Sequence, residues 1–240
     1  IADICNWHVA TKQEGKNSKC VHMIGVPCIS IEKYLEILLK NNYTVVVFTQ
    51  SDHPGKKTRQ LKYIVTPGVN DILSDKSENA VGCTYCMILS IEKTNNIFYS
   101  SVCGIDVNTG KSFVFYVCHV NYHVVVGELY KILHTYSANE VLLCNTMEEI
   151  DLITLLNLRQ TKIHIVPKLH DLDYSKHLIS NIYTNFGAEQ NTMVHVYEQF
   201  EQHELSVKSF SYLLNYIYEI DREACVYLKK PTLLISDQFL

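Results

Sequence analysis

The sequence predicts an α/β chain: a small mixed module, then a larger domain of antiparallel strands followed by parallel strands with helices, and a closing helix. Three observations predict it. Hydrophobic residues make up 47% of the chain and charged ones 19%, enough to build a core and too apolar for disorder. Stretches with helical apolar spacing alternate with short β-branched runs. Finally, the charge changes sign: residues 1–76 carry ten Lys and Arg against seven Asp and Glu, net +3, while residues 77–240 carry eleven against eighteen, net −7.

The elements follow in order. Gly25-Val26-Pro27 breaks the chain, and Ser30 is placed to cap a helix over 31–40, in which Ile31, Tyr34, Leu35 and Leu38 share one face. Asn41-Asn42 stops it. Thr44-Val-Val-Val-Phe48 is short and β-branched and predicts a buried strand. After a polar loop over 51–60, Leu61 to Thr66 predicts a second strand that ends at Pro67-Gly68. Residues 71–79 are polar, lack periodicity and coincide with the change of charge sign, which marks the domain boundary.

Beyond it, residues 80–91, 97–106 and 112–120 predict three antiparallel strands, the last two joined by the turn Val107-Asn-Thr-Gly110. A helix over 123–136 with Val126, Leu129, Tyr130 and Leu133 on its face leads to a strand over 140–144. A helix over 147–158 and a strand over 162–167 complete a parallel α/β half. A last helix, marked by Phe210, Leu213, Leu214 and Ile217, runs on towards Leu228. The modules are therefore expected at 1–76, 77–203 and 204–240.

Apolar runs such as 45–48 fall far short of the ~20 residues that cross a bilayer, and residues 1–30 hold no signal core. Nine scattered cysteines, an odd number, read as buried thiols in a reducing intracellular compartment: cytoplasm, nucleus or mitochondrion. No membrane partner is expected. The chain begins at Ile1 without Met, so a piece of a longer protein is expected.

Several motifs invite chemistry. Gly104 to Gly110, followed by Lys111-Ser112, approaches a phosphate-binding loop, but five residues separate the glycines where four are needed, and strands flank it where a helix is required. A hairpin is expected there. Cys83 and Cys86, with His119 and His123, suit zinc chemically, yet residues three apart on a strand face opposite ways, so no metal site is predicted. Asp106, Glu148, Asp151 and Asp171 are the acids that a two-metal nuclease would use, and acids at turns and helix starts are more often caps. Lys56, Lys57, Arg59 and Lys62 place four cations in seven residues of the net-positive segment, which reads evenly as a phosphate-contacting loop or as solvated surface.

Met23-Ile-Gly25-Val-Pro27, Glu32-Lys-Tyr34-Leu35, Phe48-Thr-Gln50, Asp52-His-Pro54 and Ile64-Val-Thr-Pro-Gly68 stand in an order and spacing that resembles the second half of the mismatch-binding domain of the MutS family of DNA mismatch-repair ATPases. The later pattern is similar to that family's connector domain, RNase H-like in fold and without nuclease function, and the helix from about residue 206 resembles the start of its lever. The looser match there implies a divergent member, viral or organellar, which adds a viral factory to the expected compartments. The resemblance implies no catalysis by these residues, with ATP and Mg²⁺ used by an ATPase domain beyond residue 240. It also implies partners: mismatched double-stranded DNA, the other MutS domains, a second MutS subunit and a downstream repair protein. The family's Phe-x-Glu wedge is expected before Ile1. Arg59 matches one of the family's backbone-facing basic residues, and Tyr63 stands where a second Arg is usual. The competing expectations are an RNase H-like nuclease built on Asp106 and a protein-interaction module in which the basic loop is incidental.

Overall fold

The computed structural model describes residues 1–13, 20–50, 58–70, 85–145, 147, 151–185 and 198–234. The front module opens with a single helical turn, α1 (Ala2–Cys5), and the antiparallel pair β1 (Ala10–Gln13) and β2 (Cys20–Met23). Helix α2 (Ile31–Lys40) has the predicted bounds and buries Leu35, Leu38 and Leu39. Ser30 occupies its N-cap position, but the side chain makes no capping hydrogen bond. At the other end Asn41 N–H donates to the carbonyls of Ile37 and Leu38, and Asn42 turns the chain at a φ of 63°.

Strands β3 (Val45–Gln50) and β4 (Arg59–Val65) form a two-stranded antiparallel ribbon. The prediction of a buried strand over 44–48 needs correction. Only one face of the ribbon packs, with Val45, Val47, Tyr63 and Val65 against Ile31, Leu35 and Leu39, whereas Val46 and Phe48 are exposed. Alternation along a strand sends neighbouring side chains to opposite faces, so one covering helix buries only half of a β-branched run.

Three strands then pair antiparallel in succession, β5 (Tyr85–Thr94), β6 (Ile97–Asp106) and β7 (Lys111–His119). Asn95 and Asn96, both at positive φ, make a two-residue hairpin between the first pair. The second pair is closed by the expected turn, whose Gly110 sits at φ +67°. Helix α3 (Tyr122–Tyr136) crosses to β8 (Ala138–Asn145), parallel to β5, and β9 (Lys162–Ile165) lies parallel to β8. The sheet is completed by β10 (Thr232–Leu234), parallel to β7, in the order β10-β7-β6-β5-β8-β9.

Both faces of this sheet are covered. Met87, Leu89, Phe115, Leu129 and Leu143 belong to the core beneath α3 and α4 (Leu152–Leu155), and Ile88, Ile105, Ile179, Phe210 and Ile217 to the core beneath α5 (Leu172–Asn185) and α6 (Glu204–Ile220). Central strand β5 is accordingly apolar on both faces, as a strand between two helical layers must be.

Four further expectations change. Of the helix expected over 147–158, residues 148–150 lie outside the described residues, and 151–158 form only the single turn α4, because Asp151 caps it through Thr154 N–H and Asn157 takes a left-handed conformation just after it. The buried face of α3 is Val125, Leu129, Ile132 and Leu133, and Tyr130 points outward. Helix α6 ends at Ile220, because Asp221 is extended and its carboxylate accepts from Glu223 and Ala224 N–H to start a 3-10 turn over Glu223–Tyr227. Cys28 and Cys118 are exposed, against the expectation of buried thiols. Helix α5 and strand β10 were not anticipated, and the boundary at 71–79 lies outside the described residues.

Candidate functional site

The two modules meet at one carboxylate. Glu140, on β8, is fully buried. Its Oε2 accepts from Thr66 Oγ1–H at 2.5 Å and from Gly68 N–H at 2.9 Å, both belonging to the chain that leaves β4. Its Oε1 accepts from Tyr216 O–H on α6 at 2.7 Å and faces His164 Nε2 on β9 at 2.5 Å. One oxygen thus holds the front module, and the other holds the sheet edge and the last long helix.

The turn at the end of β4 is built to present those donors. Val69 N–H donates to Thr66 Oγ1 at 3.0 Å, freeing the hydroxyl hydrogen for Glu140, and Thr66 N–H pairs with Val69 C=O at 3.0 Å. Asn70 Nδ2 donates to the carbonyls of Thr66 and Pro67 and is itself buried. A side chain at Gly68 would place its Cβ 2.6 Å from that of Glu140 and 3.0 Å from that of Cys86, so the close approach of this backbone requires glycine. Beside it, Asn42 Nδ2 donates to Gln160 C=O at 2.8 Å, giving the modules a second tie.

Burial would raise the Glu140 pKa, yet hydrogen bonds from His164, Thr66, Tyr216 and the Gly68 amide outweigh it and hold the carboxyl below its ordinary value. The group is therefore an anion at neutral pH. Its neighbours respond in the opposite sense: burial and then the Glu140 charge push up both the Tyr216 phenol and the Cys86 thiol. The Glu140 carboxylate fixes three segments to one point, since a buried charge is tolerated only while its partners stay in place.

Sequence reasoning missed Glu140, His164 and Tyr216. The available signal was an acid at the head of the apolar run Val141-Leu-Leu-Cys144, where an unpaired charge is too costly to bury. The Ile64 to Gly68 motif was seen, but its role here is to dock against Glu140.

Of the predicted basic residues, Lys56 and Lys57 lie outside the described residues, and Arg59 and Lys62 are exposed on β4. Arg59 lies opposite Gln50, whereas Lys62 is the extra residue of a β-bulge between the pairs Val47–Tyr63 and Phe48–Leu61. Its Nζ sits 5.5 Å from the centre of the Tyr63 ring.

Three of the acids considered for a nuclease hold local turns and helix starts. Asp106 is buried and accepts from Asn108 N–H at 3.1 Å and Thr109 Oγ1–H at 2.6 Å in the hairpin turn. Asp151 caps α4 and Asp171 caps α5 through Tyr174 N–H, while Glu148 lies outside the described residues. Cys86 is buried, and Cys83 also lies outside them. Among the described residues no three His, Cys, Asp or Glu side chains form a group that could hold a metal ion, and no helix is long and apolar enough to cross a membrane. The segment from Gly104 to Ser112 is a strand, a turn and a strand, which does not fit the phosphates of ATP.

Comparison with known proteins adds the following. Residues 1–71 match the family model for MutS domain I. The chain is 31% identical over 134 residues to the DNA mismatch repair protein MutS of Halothermothrix orenii, covering 53% of this chain and 14% of that protein. It is 32% identical over 117 residues to MutS of Rickettsia typhi, covering 44% and 13%, and 27% identical over 171 residues to MutS of Staphylococcus saprophyticus, covering 68% and 18%. The chain thus spans less than a fifth of the length of each of these relatives.

Proposed function

We propose that the chain, whose residues 1–71 match the MutS domain I model, is the DNA-scanning and coupling front part of a mismatch-repair protein. The observation that carries the coupling role is Glu140, whose two oxygens divide between the front module and the β9–α6 side. A displacement of either side must break hydrogen bonds to a buried anion, so motion at one is felt at the other.

The proposed division is 1–76 for the partial mismatch-binding domain, 77–203 for the connector and 204–240 for the start of the lever. An RNase H-like connector is supported by the strand order β7-β6-β5-β8-β9, with the first three antiparallel and the next two parallel to β5. The capping roles of Asp106, Asp151 and Asp171 support a connector without catalysis. Lys56, Lys57, Arg59 and Lys62 contact the phosphate backbone without reading sequence, as scanning for any mismatch requires. In the longer protein the partners are mismatched duplex DNA, the other MutS domains, a second subunit and a downstream repair protein, with ATP and Mg²⁺ used by a separate ATPase domain in a reducing intracellular compartment.

The test is a salt titration with homoduplex and mismatched DNA. Each phosphate contact contributes about 0.9 to the slope of log affinity against log salt. Lys57→Ala/Arg59→Ala should reduce that slope by about 1.8 for both duplexes and leave their affinity ratio nearly unchanged. An unchanged slope assigns the loop to plain solvated surface.

A further inference from the structure

The sheet of the larger domain runs on past the start of the helix that covers it. Glu92 lies opposite Tyr99, Ser90 opposite Ser101, and Ser101 opposite Tyr116. Opposed residues, and residues two apart along a strand, share a face, so these five side chains stand on one side of the sheet. On that side Ser206 and Ser209 of α6 hydrogen-bond Ser101 and Ser90 at 3.0 and 2.8 Å, which seats the helix over the serine row. His203, just before α6, stacks on the Tyr116 ring at 3.9 Å and 18°. The row of Glu92 and Tyr99 lies one step further along the strands, beside the start of the helix. A crevice of about 250 Å³ opens there, with Glu92, Tyr99, Tyr116, His203 and Glu204 in its lining.

One charge in this crevice is unanswered. Among the described residues no hydrogen bond or ion pair reaches Glu92. Lys93 faces the other way along the strand, over the Phe98 ring at 5.1 Å. Lys168 and Lys208 line a neighbouring crevice that also touches Glu92, and neither is ion-paired with it. Glu204 adds little, because it is largely in solvent, meets Lys208 at 3.4 Å and sits in the partial positive charge at the start of its own helix. The rings bring no positive charge of their own. Burial lowers the pKa of His203, so its imidazole is neutral at neutral pH. Burial, followed by Cys118, Tyr99 and Glu92, pushes up the Tyr116 phenol, which puts Glu92 within electrostatic reach of that ring.

We propose that this crevice binds a guanidinium group, which stacks on the tyrosine rings and donates hydrogen bonds to Glu92. A half-buried carboxylate without a donor calls for N–H groups, and aromatic faces call for a weakly hydrated cation. Guanidinium supplies both, being planar, weakly hydrated and rich in donors. An alkylammonium is strongly hydrated, and a quaternary amine has no N–H to give. The volume falls just below the ~300–1,000 Å³ of drug-sized sites, which suits one head group. That group belongs either to a free small molecule or to an arginine side chain of a protein partner, and the same chemistry recognises both.

The experiment is an NMR titration of the whole chain with labelled tyrosine rings. The probes are N-acetyl-arginine methylamide, the matching lysine compound, tetramethylammonium and a short peptide centred on one arginine. The arginine compound should shift the Tyr99 and Tyr116 resonances saturably and bind several-fold more tightly than the lysine compound or tetramethylammonium. Glu92→Gln, which keeps the shape of the side chain and removes its charge, should weaken that binding about tenfold. Tyr99→Leu should weaken it several-fold. A peptide that binds more tightly than the free compound assigns the guanidinium to a protein partner, and one that binds no more tightly assigns it to a small molecule. No saturable shift up to tens of millimolar overturns the proposal, as does binding unchanged in Glu92→Gln or equal for the lysine compound. Failure here leaves the salt-slope test of the basic loop untouched, because no residue is shared.

Discussion

The front module and the larger sheet behind it bury strands by different means. In the larger domain β5 to β8 lie between two helical layers, and Phe115, Phe210, Leu129 and Ile105 are fully enclosed. In the front module a two-stranded ribbon has one helix on one face, and its buried cluster is only Leu35, Leu39 and Val65 with four partly buried neighbours. A ribbon of that size is marginal in water without further support. The charge split follows the same line, +3 against −7. The front module therefore depends on its attachment, and Glu140 is the principal attachment that the described residues hold.

Breaking that attachment should have the largest effect. Glu140→Ala leaves the Thr66 hydroxyl, the Gly68 amide and the Tyr216 phenol without their acceptor in a buried place. Breaking a buried charge network by removing one partner costs about 3–5 kcal/mol. At about 2–4 °C per kcal/mol for a chain of this size, the melting temperature should drop by about 6–20 °C. Hydrogen exchange should rise first over α2, β3 and β4, while β5 to β7 stay protected. Equal loss across both modules would show that they unfold as one unit.

The same residue sets a pH dependence. The Glu140 pKa is lowered in the folded chain, with four donors outweighing burial. A carboxylate of this kind contributes stability in full above its unfolded pKa of about 4.3 and loses it as pH falls through the folded value. Glu140→Gln removes the charge and keeps the shape. The stability gap between the native chain and this variant should be greatest near neutrality and close below about pH 4, as read from melts over a pH series. A gap that stays constant with pH would mean that the carboxyl titrates alike in the folded and unfolded chain, and a gap that widens as pH falls would mean that it is neutral in the folded chain.

Gly68→Ala should do less, because it crowds the junction without emptying it. The new Cβ meets backbone-anchored atoms at 2.6 and 3.0 Å, so the turn must lift from Glu140 and Cys86. Overpacking of this kind costs about 1–3 kcal/mol. Chemical denaturation should report it, and a variant as stable as the parent would mean that the turn has room to move.

How much of this was legible in the sequence depended on how far the decisive contacts reach along the chain. Helix α2 and the β5 to β7 meander rest on local periodicity and turn residues, so their existence could be read directly. Helix α5 carries Leu178, Ile179, Ile182 and Tyr183 among Asp, Ser, His, Asn and Thr, a weak stripe that tertiary packing completes. Strand β10 is three residues long and exists because β7 offers an edge. The junction was least legible, since Glu140 lies 74 residues from Thr66, 24 from His164 and 76 from Tyr216, and no local pattern links them. The basic residues were legible as charge, while the bulge that places Lys62 depends on the partner strand.

The smallest effect should come from the open face of the β3–β4 ribbon. Val46, Phe48 and Leu61 are 46%, 58% and 54% exposed, and Phe48 lies directly opposite Leu61. A buried aromatic such as Phe210 costs about 3–5 kcal/mol when cut to Ala. A surface substitution away from caps and networks stays within about 0.5 kcal/mol. Phe48→Thr puts a β-branched residue on the strand in place of the exposed ring, so the 240-residue chain should lose no more than that, as read by denaturant unfolding. One module is then closed on both faces and the other on one. A loss above about 1 kcal/mol would exceed what surface positions show and would mean that this face is covered in solution, so that the ribbon is buried on both sides after all.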